Sequence, residues 1–216
     1  MQLNKKVLVI DYGAGNLRSV TNAFAKLGYE PIITNSGTDI RKAPAVILPG
    51  VGAAAEAMEN LKNLGLIEPI RQYVAEGRPF FGVCLGLQIL LSETEEDGKH
   101  DCLNIVRGKV KRLPPGLKTP HMGWNQVKQM KEHPVFEGIP DETNFYFVHS
   151  YYAAPDDTSV VLGETDYGIN FCCAVAKENL VATQFHPEKS GEPGLRMYDN
   201  FMKLAMASQT GNQNGK

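Results

Sequence analysis

The chain has 216 residues, 43% of them apolar, and its 22 basic and 24 acidic side chains leave a net charge of -2. That length fits one large domain or two small ones with a sizeable buried core. The near-neutral balance offers no bulk footprint for nucleic acid or a membrane surface, and no apolar run approaches the roughly 18 residues of a membrane span.

The N-terminal MQLNKKVLVIDYG enters a strand pattern directly, with no signal-peptide core before it, so the cytoplasm is the expected location. Lys6 to Asp11 reads as a continuous apolar strand of the kind buried on both faces of a parallel sheet. Asn16 to Leu27 follows as a helix closed by Gly28. Between them, Asp11-Tyr12-Gly13-Ala14-Gly15-Asn16 has two glycines of a dinucleotide fingerprint, but Arg18 stands where the third belongs. A tight turn into the helix is the better reading.

Pro31 to Thr34 and Ala45 to Leu48 are short strands, and the second runs into Pro49-Gly50-Val51-Gly52. That turn serves packing, or it aims backbone N–H groups at an anion. Helices are expected over Ala53 to Leu64 and Leu66 to Glu76, then a strand over Pro79 to Val83 and a helix over Leu85 to Leu91. The second half reads as strands: Arg107 to Leu113, Gly123 to Met130, Asn144 to Ala153, Val160 to Thr165, Ile169 to Lys177 and Leu180 to Phe185. Gly194 to Ala207 is a closing helix, and the polar tail 208–216 is expected to be disordered. No long polar linker divides the chain. The expectation is one α/β domain over residues 1–207, an open, mostly parallel sheet flanked by helices with antiparallel strands added in the second half.

The segment GVCLGLQ (82–88) places Cys84 on the hinge between strand and helix, with Gly82 and Gly86 two residues to either side. This is the form of a nucleophile elbow, whose small residues let strand and helix approach. A thiol there stands at the C-terminal edge of the sheet, near the positive end of a helix, with the N–H of Leu85 aimed at a developing oxyanion. A buried core cysteine is the competing reading. Cys102, Cys172 and Cys173 form no C-x-x-C pair, so neither a zinc motif nor a disulfide framework is expected. Cys172 and Cys173 should point to opposite faces of a strand.

A thiolate nucleophile needs a base held by a third group. Of the five histidines, His100 and His133 sit in polar segments, and His149 follows an apolar strand and reads as structural. His186 lies just past an apolar strand, and Pro187 biases it to an extended conformation. Residues two apart then share a side, so Glu188 can hold one ring nitrogen while the other faces Cys84.

GVCLGLQ together with FHPE (185–188) resembles the class I, triad-type glutamine amidotransferases, and the similarity runs from VLVIDYGAGN (7–16) to the helix near Ala207. PGVGAAAEAM (49–58), PHMGWN (120–125), YFVHSYY (146–152) and FHPEKSG (185–191) narrow it to the branch serving histidine biosynthesis. The resemblance implies a flavodoxin-like fold and a Cys84–His186–Glu188 triad that hydrolyses glutamine through a γ-glutamyl thioester. It implies an oxyanion hole from Leu85 and the Gly50-Val51-Gly52 segment, and glutamine binding by Gln88, Ser150 and Tyr151. It implies no metal and no cofactor. It also implies a heterodimer with a cyclase subunit of (β/α)8-barrel fold, which uses the ammonia to make imidazole glycerol phosphate and aminoimidazole carboxamide ribonucleotide. Asn16, Met122, Trp124, Asn125 and Lys189 are the implied interface. From its residue type alone Trp124 fits a core as well as an interface. Three rival readings are another glutaminase of the same class, a cysteine peptidase on the same elbow, and a regulator with an unused elbow.

Overall fold

A computed structural model describes residues 5–13 and 15–211. The first half alternates strand and helix: β1 (Lys6–Ile10), α1 (Leu17–Lys26), β2 (Glu30–Thr34), α2 (Gly37–Lys42), β3 (Val46–Leu48), α3 (Ala54–Asn63), α4 (Ile67–Ala75), β4 (Phe80–Val83) and α5 (Leu85–Gln88). The second half is mostly strands: β5 (Glu93–Thr94), β6 (His100–Asp101), β7 (Gly108–Arg112), β8 (His121–Gln129), β9 (Thr143–His149), β10 (Tyr151–Pro155), β11 (Val161–Asp166), β12 (Asn170–Lys177) and β13 (Leu180–Thr183). A long helix, α6 (Gly191–Gly211), ends the described chain. Among the described residues, no helix is long and apolar enough to cross a membrane.

The sheet runs β2-β1-β3-β4-β13-β12-β10-β7-β5-β6, with β11, β8 and β9 branching from β12. From β2 to β13 every neighbouring pair is parallel. Antiparallel pairing begins at β12 and dominates beyond it. The mixed sheet follows from connectivity, because helical crossovers join β1 to β4 whereas a tight turn joins β12 to β13.

Both faces of the parallel part are covered. In β1, Val7 and Val9 pack with Val20 and Phe24 of α1 and with Tyr198 and Phe201 of α6. Leu8 and Ile10 point the other way, among Leu61 of α3 and Ile70 and Tyr73 of α4. The alternation of strand side chains therefore builds two cores from one run of sequence. The same rule divides Cys173 and Cys172 between the two cores.

Three expectations need correction. The expected strand Asn144 to Ala153 is two strands, β9 and β10, broken at Ser150, because β9 pairs with β8 while β10 pairs with β7 and β12. The helix from Leu85 keeps helical form only to Gln88 and continues as turns. The closing helix starts at Gly191 and reaches Gly211, into the segment expected to be disordered. The rest of that tail lies outside the described residues. α2, β5 and β6 are too short for their periodicity to be read from sequence.

Candidate active site

Three neighbouring strands deliver the candidate residues to one place. β3, β4 and β13 lie side by side and parallel, so their C-terminal ends share one edge of the sheet. The chain leaves β3 into Pro49–Gly52, leaves β4 into Cys84, and leaves β13 into Gln184, Phe185 and His186. A cavity of about 430 Å³ opens at that edge, lined by Val51, Gly52, Cys84, Leu85, Gln88, His186 and Lys189. Ser150 and Tyr151 line its far wall because the chain breaks between β9 and β10 at that point.

Cys84 has a positive φ of 53° with ψ -107°. Such a conformation costs on the order of 1–3 kcal/mol and persists only where the surroundings impose it. Here the Cys84 N–H donates to the Thr183 carbonyl at 2.7 Å, tying the end of β4 to the end of β13. The flanking glycines admit the turn: a Cβ on Gly82 would stand 2.9 Å from the Gly86 carbonyl oxygen, and one on Gly86 2.0 Å from that of Leu48. Since α5 is a single turn, the helix-dipole support expected for a thiolate is small. The Leu85 N–H, at the first helical position, has no intrahelical acceptor.

His186 is 1% exposed and extended, at φ -102° and ψ 97°. Pro187–Lys189 coil into a 3₁₀ turn instead of staying extended, yet Glu188 Oε1 still lies 2.8 Å from His186 Nδ1. The other Glu188 oxygen accepts the Tyr198 hydroxyl at 3.2 Å. The His186 N–H donates to the Tyr146 carbonyl at 2.9 Å, and Ser190 Oγ donates to the His186 carbonyl at 2.7 Å, so ring and backbone are both fixed. Nε2 is buried and has no hydrogen-bond partner among the described residues. Burial opposes a charge on this ring, but the Cys84 sulfur and the Glu188 carboxylate outweigh it and raise the His186 pKa to about 10.

The other thiols are chemically quiet. Burial pushes both Cys102 and Cys172 up to about 12, and it also holds Cys173 well above the ordinary thiol range. His133 is half-buried, although its segment is polar, and accepts the Val135 N–H at 3.1 Å.

Gly50 does not line the cavity. A Cβ there would meet Leu85 Cβ and the Tyr12 hydroxyl, both at 2.7 Å, so only glycine lets this loop lie on α5. The Gly13 N–H donates to Asp11 Oδ1 at 3.0 Å and the Asn16 side chain accepts the Ser19 N–H at 3.4 Å, as in a tight turn and a helix cap. Met122 and Trp124 are 62% and 58% exposed, which removes the core reading of Trp124. Lys189 is exposed, its ammonium 5.8 Å from the Tyr146 ring centre. Asn125 turns inward: its amide nitrogen donates to the Asp166 carbonyl at 2.8 Å and lies 3.3 Å from His121 Nε2.

A family model described as glutamine amidotransferase class-I matches residues 8–205. The chain belongs to the class-I glutamine amidotransferases. Two curated relatives place this amidotransferase further, within the HisH family. It is 53% identical over 203 residues, covering 94% of this chain and 99% of its relative, to the imidazole glycerol phosphate synthase subunit HisH of Dehalococcoides mccartyi strain CBDB1. It is 47% identical over 206 residues, covering 92% and 99%, to the subunit of that name in Geobacter sulfurreducens. Solved structures agree on the fold. PurLQS from Thermotoga maritima superposes with TM-score 0.73 at 16% identity, covering 92% of this chain and 98% of its own. The acivicin-bound glutaminase domain of CTPS from Trypanosoma brucei gives TM-score 0.64 at 17% identity, covering 94% of each.

Two groups, one lining the amidotransferase cavity and one hydrogen-bonded to Cys84, were not picked out as site residues from sequence. Glu96 lines it, one carboxylate oxygen accepting the Ala54 N–H at 2.7 Å, and no motif marks that glutamate. Gln184 is fully buried and donates its amide N–H to Cys84 Sγ at 3.6 Å. Its place two residues before His186 was the available signal, because strand alternation puts both on one side.

Proposed function

We propose that this chain is the glutaminase subunit of an imidazole glycerol phosphate synthase of histidine biosynthesis, releasing ammonia from glutamine for a cyclase partner. The observation that carries the chemistry is the convergence of the Pro49–Gly52 loop, Cys84 and the His186–Glu188 pair at the ends of three adjacent parallel strands.

Cys84 is the nucleophile and His186 its base. The unpartnered Nε2 takes the thiol proton, and Glu188 holds the imidazolium through Nδ1. The thiolate attacks the side-chain amide carbon of glutamine. The resulting oxyanion is held by the Leu85 N–H and by a backbone N–H of the Gly50-Val51-Gly52 segment. His186 returns its proton to the departing nitrogen, and ammonia leaves a γ-glutamyl thioester. Water, with His186 as base, then hydrolyses the thioester to glutamate. Ser150, Tyr151 and Gln88 bind the substrate, and Glu96 is the carboxylate suited to its α-ammonium group.

We assign the partner to the cavity mouth, since exposed Val51 lines the cavity and Met122 and Trp124 stand exposed on β8, which begins just after the cavity-lining Pro120. Lys189 lines that cavity, and we assign Asn16 to the same interface. We assign the partner a (β/α)8-barrel cyclase in a heterodimer, and residues 1–207 a single amidotransferase domain.

Glutamate release tests this reading in three conditions: the chain alone, with a histidine-pathway cyclase subunit, and with that subunit plus its ribonucleotide substrate. Stimulation by both additions, abolished by Cys84→Ala, is expected. Activity indifferent to the cyclase would move the chain to another glutamine-dependent synthase. Absence of glutamate release in every condition would overturn the glutaminase assignment.

A further inference from the structure

A single backbone carbonyl fixes the orientation of four buried polar side chains around Cys84. The Tyr151 carbonyl can only accept hydrogen bonds. It lies 2.8 Å from Gln88 Nε2 and 2.8 Å from His149 Nδ1, so both of those nitrogens carry hydrogen.

The consequences run outward in two directions. Gln88 Nε2 also lies 3.1 Å from the Gln184 side chain, which must therefore present its oxygen there. The Gln184 nitrogen is then left for Cys84 Sγ, at 3.6 Å. Turning the Gln184 amide over would set two donors against each other. On the other arm, a neutral His149 with hydrogen on Nδ1 has a bare Nε2. His121 Nδ1, 2.9 Å away, must donate to it. His121 Nε2 is then bare in turn and faces the Asn125 amide nitrogen at 3.3 Å. The sense of every bond from Asn125 to Cys84 thus follows from one acceptor, without any amide or ring having been assigned by convention.

The histidines suit this arrangement. Burial lowers the pKa of His121 to about 4 and that of His149 to about 3, so both are neutral at pH 7 and each keeps one donor and one acceptor. His121 is stacked between Phe147 and Tyr167, with ring centres 4.9 Å and 3.9 Å away, which holds its plane.

We propose that Gln184 is a further catalytic residue of this site, whose amide N–H supports the Cys84 sulfur in its anionic form, that Gln88 is the positioning residue that fixes which end of that amide faces the sulfur, and that His149, backed by His121, holds the Tyr151 carbonyl on which Gln88 is oriented. The inference rests on the assignment of Cys84 as nucleophile. When His186 takes the thiol proton, the S–H bond breaks, an N–H bond forms on Nε2 and the electron pair stays on sulfur. Val148 offers the sulfur a carbonyl oxygen at 3.9 Å, which serves the thiol but not the anion. The Gln184 N–H serves the anion, and a hydrogen bond to the charged form favours that form.

The test is the rate at which iodoacetamide alkylates Cys84 in the full chain at pH 7, followed by mass spectrometry, with thermal melting as the check on folding. Alkylation needs no glutamine, so it reads the Gln184 role even if the chain's substrate were another amide. Glutaminase assays of the wild type with the cyclase report on the wider assignment separately. Gln184→Met and Gln184→Glu are expected to slow alkylation tenfold or more while melting as folded proteins. If either folded variant keeps the wild-type rate, the role is refuted. A second pair leaves Gln184 untouched. His149→Phe removes one of the two hydrogen bonds that hold the Tyr151 carbonyl and is expected to slow alkylation about threefold. His149→Asn, whose amide nitrogen can take the place of Nδ1, recovers most of the rate. Equal rates in His149→Phe and the wild type, or a loss in both His149 variants that merely follows their melting temperatures, would overturn the positioning role. If neither Gln184 variant folds, this second pair decides the matter.

Discussion

Gly86 lies so close to Leu48 that a Cβ on it would sit 2.0 Å from the Leu48 carbonyl oxygen. The contact is between backbones, so no rotamer change relieves it. Gly86→Ala must therefore push α5 off the end of β3, at a cost of about 3 kcal/mol or more. Gly65 is the control. It has φ 65° and nothing within 4 Å of where a Cβ would stand, so Gly65→Ala pays only the dihedral penalty of roughly 1 kcal/mol. Urea unfolding of the two variants separates close approach from backbone strain, and equal losses would refute the contact argument.

Cys84 itself stores strain. A non-glycine residue at φ 53° and ψ -107° is unfavourable wherever it occurs, and glycine relieves it. Cys84→Gly should be stabler than Cys84→Ala, which loses the same buried thiol, by about 1 kcal/mol, after the greater chain entropy of glycine in the unfolded state is subtracted. The same variant should release no glutamate. A Cys84→Gly less stable than Cys84→Ala would mean that the elbow is relaxed.

The His186 ring, set between the Cys84 sulfur and the Glu188 carboxylate, gives stability a definite pH dependence. The His186 pKa is raised from the ordinary 6.5 to about 10, so folding favours the imidazolium. Its contribution is complete below about pH 6.5 and is lost as the pH rises through about 10. Glu188→Gln keeps a partner for Nδ1 but removes the charge. The melting-temperature gap between wild type and Glu188→Gln should be widest near pH 6 and close toward pH 10. A gap that widens with pH would reverse the assignment. Activity should fall by about 10³-fold or more, as when the orienting acid of a triad loses its charge.

Trp124 is mostly exposed and makes an edge-on contact with Tyr146 at 6.1 Å between ring centres. Trp124→Ala should change thermal stability by less than about 0.5 kcal/mol, as at other exposed positions. It should weaken association with the cyclase by about 2 kcal/mol or more, the range of a buried aromatic anchor. Titration calorimetry and a melting curve read the two effects. Strong destabilisation with unchanged association would place Trp124 in the fold and not in the interface.

Much of this molecule was legible in its sequence because local rules governed those parts. Apolar runs of four to six residues gave the parallel strands, and the glycines beside Cys84 gave the elbow, because only glycine permits the backbone contacts seen at Gly82 and Gly86. Pro187 gave the extended His186, and the spacing of two gave its bond to Glu188. Those features depend on neighbours in sequence. What the tertiary structure alone decided depends on residues far apart in the chain. Whether Asn144 to Ala153 formed one strand or two rested on which partners β9 and β10 found. Whether Trp124 was core or surface rested on what packs over β8. Gln184 and Cys84 are 100 residues apart, and His121 and His149 are 28 apart. The sense of their hydrogen bonds follows from one carbonyl that only the folded chain sets between them, since a buried donor must find an acceptor and no local pattern in the sequence records which.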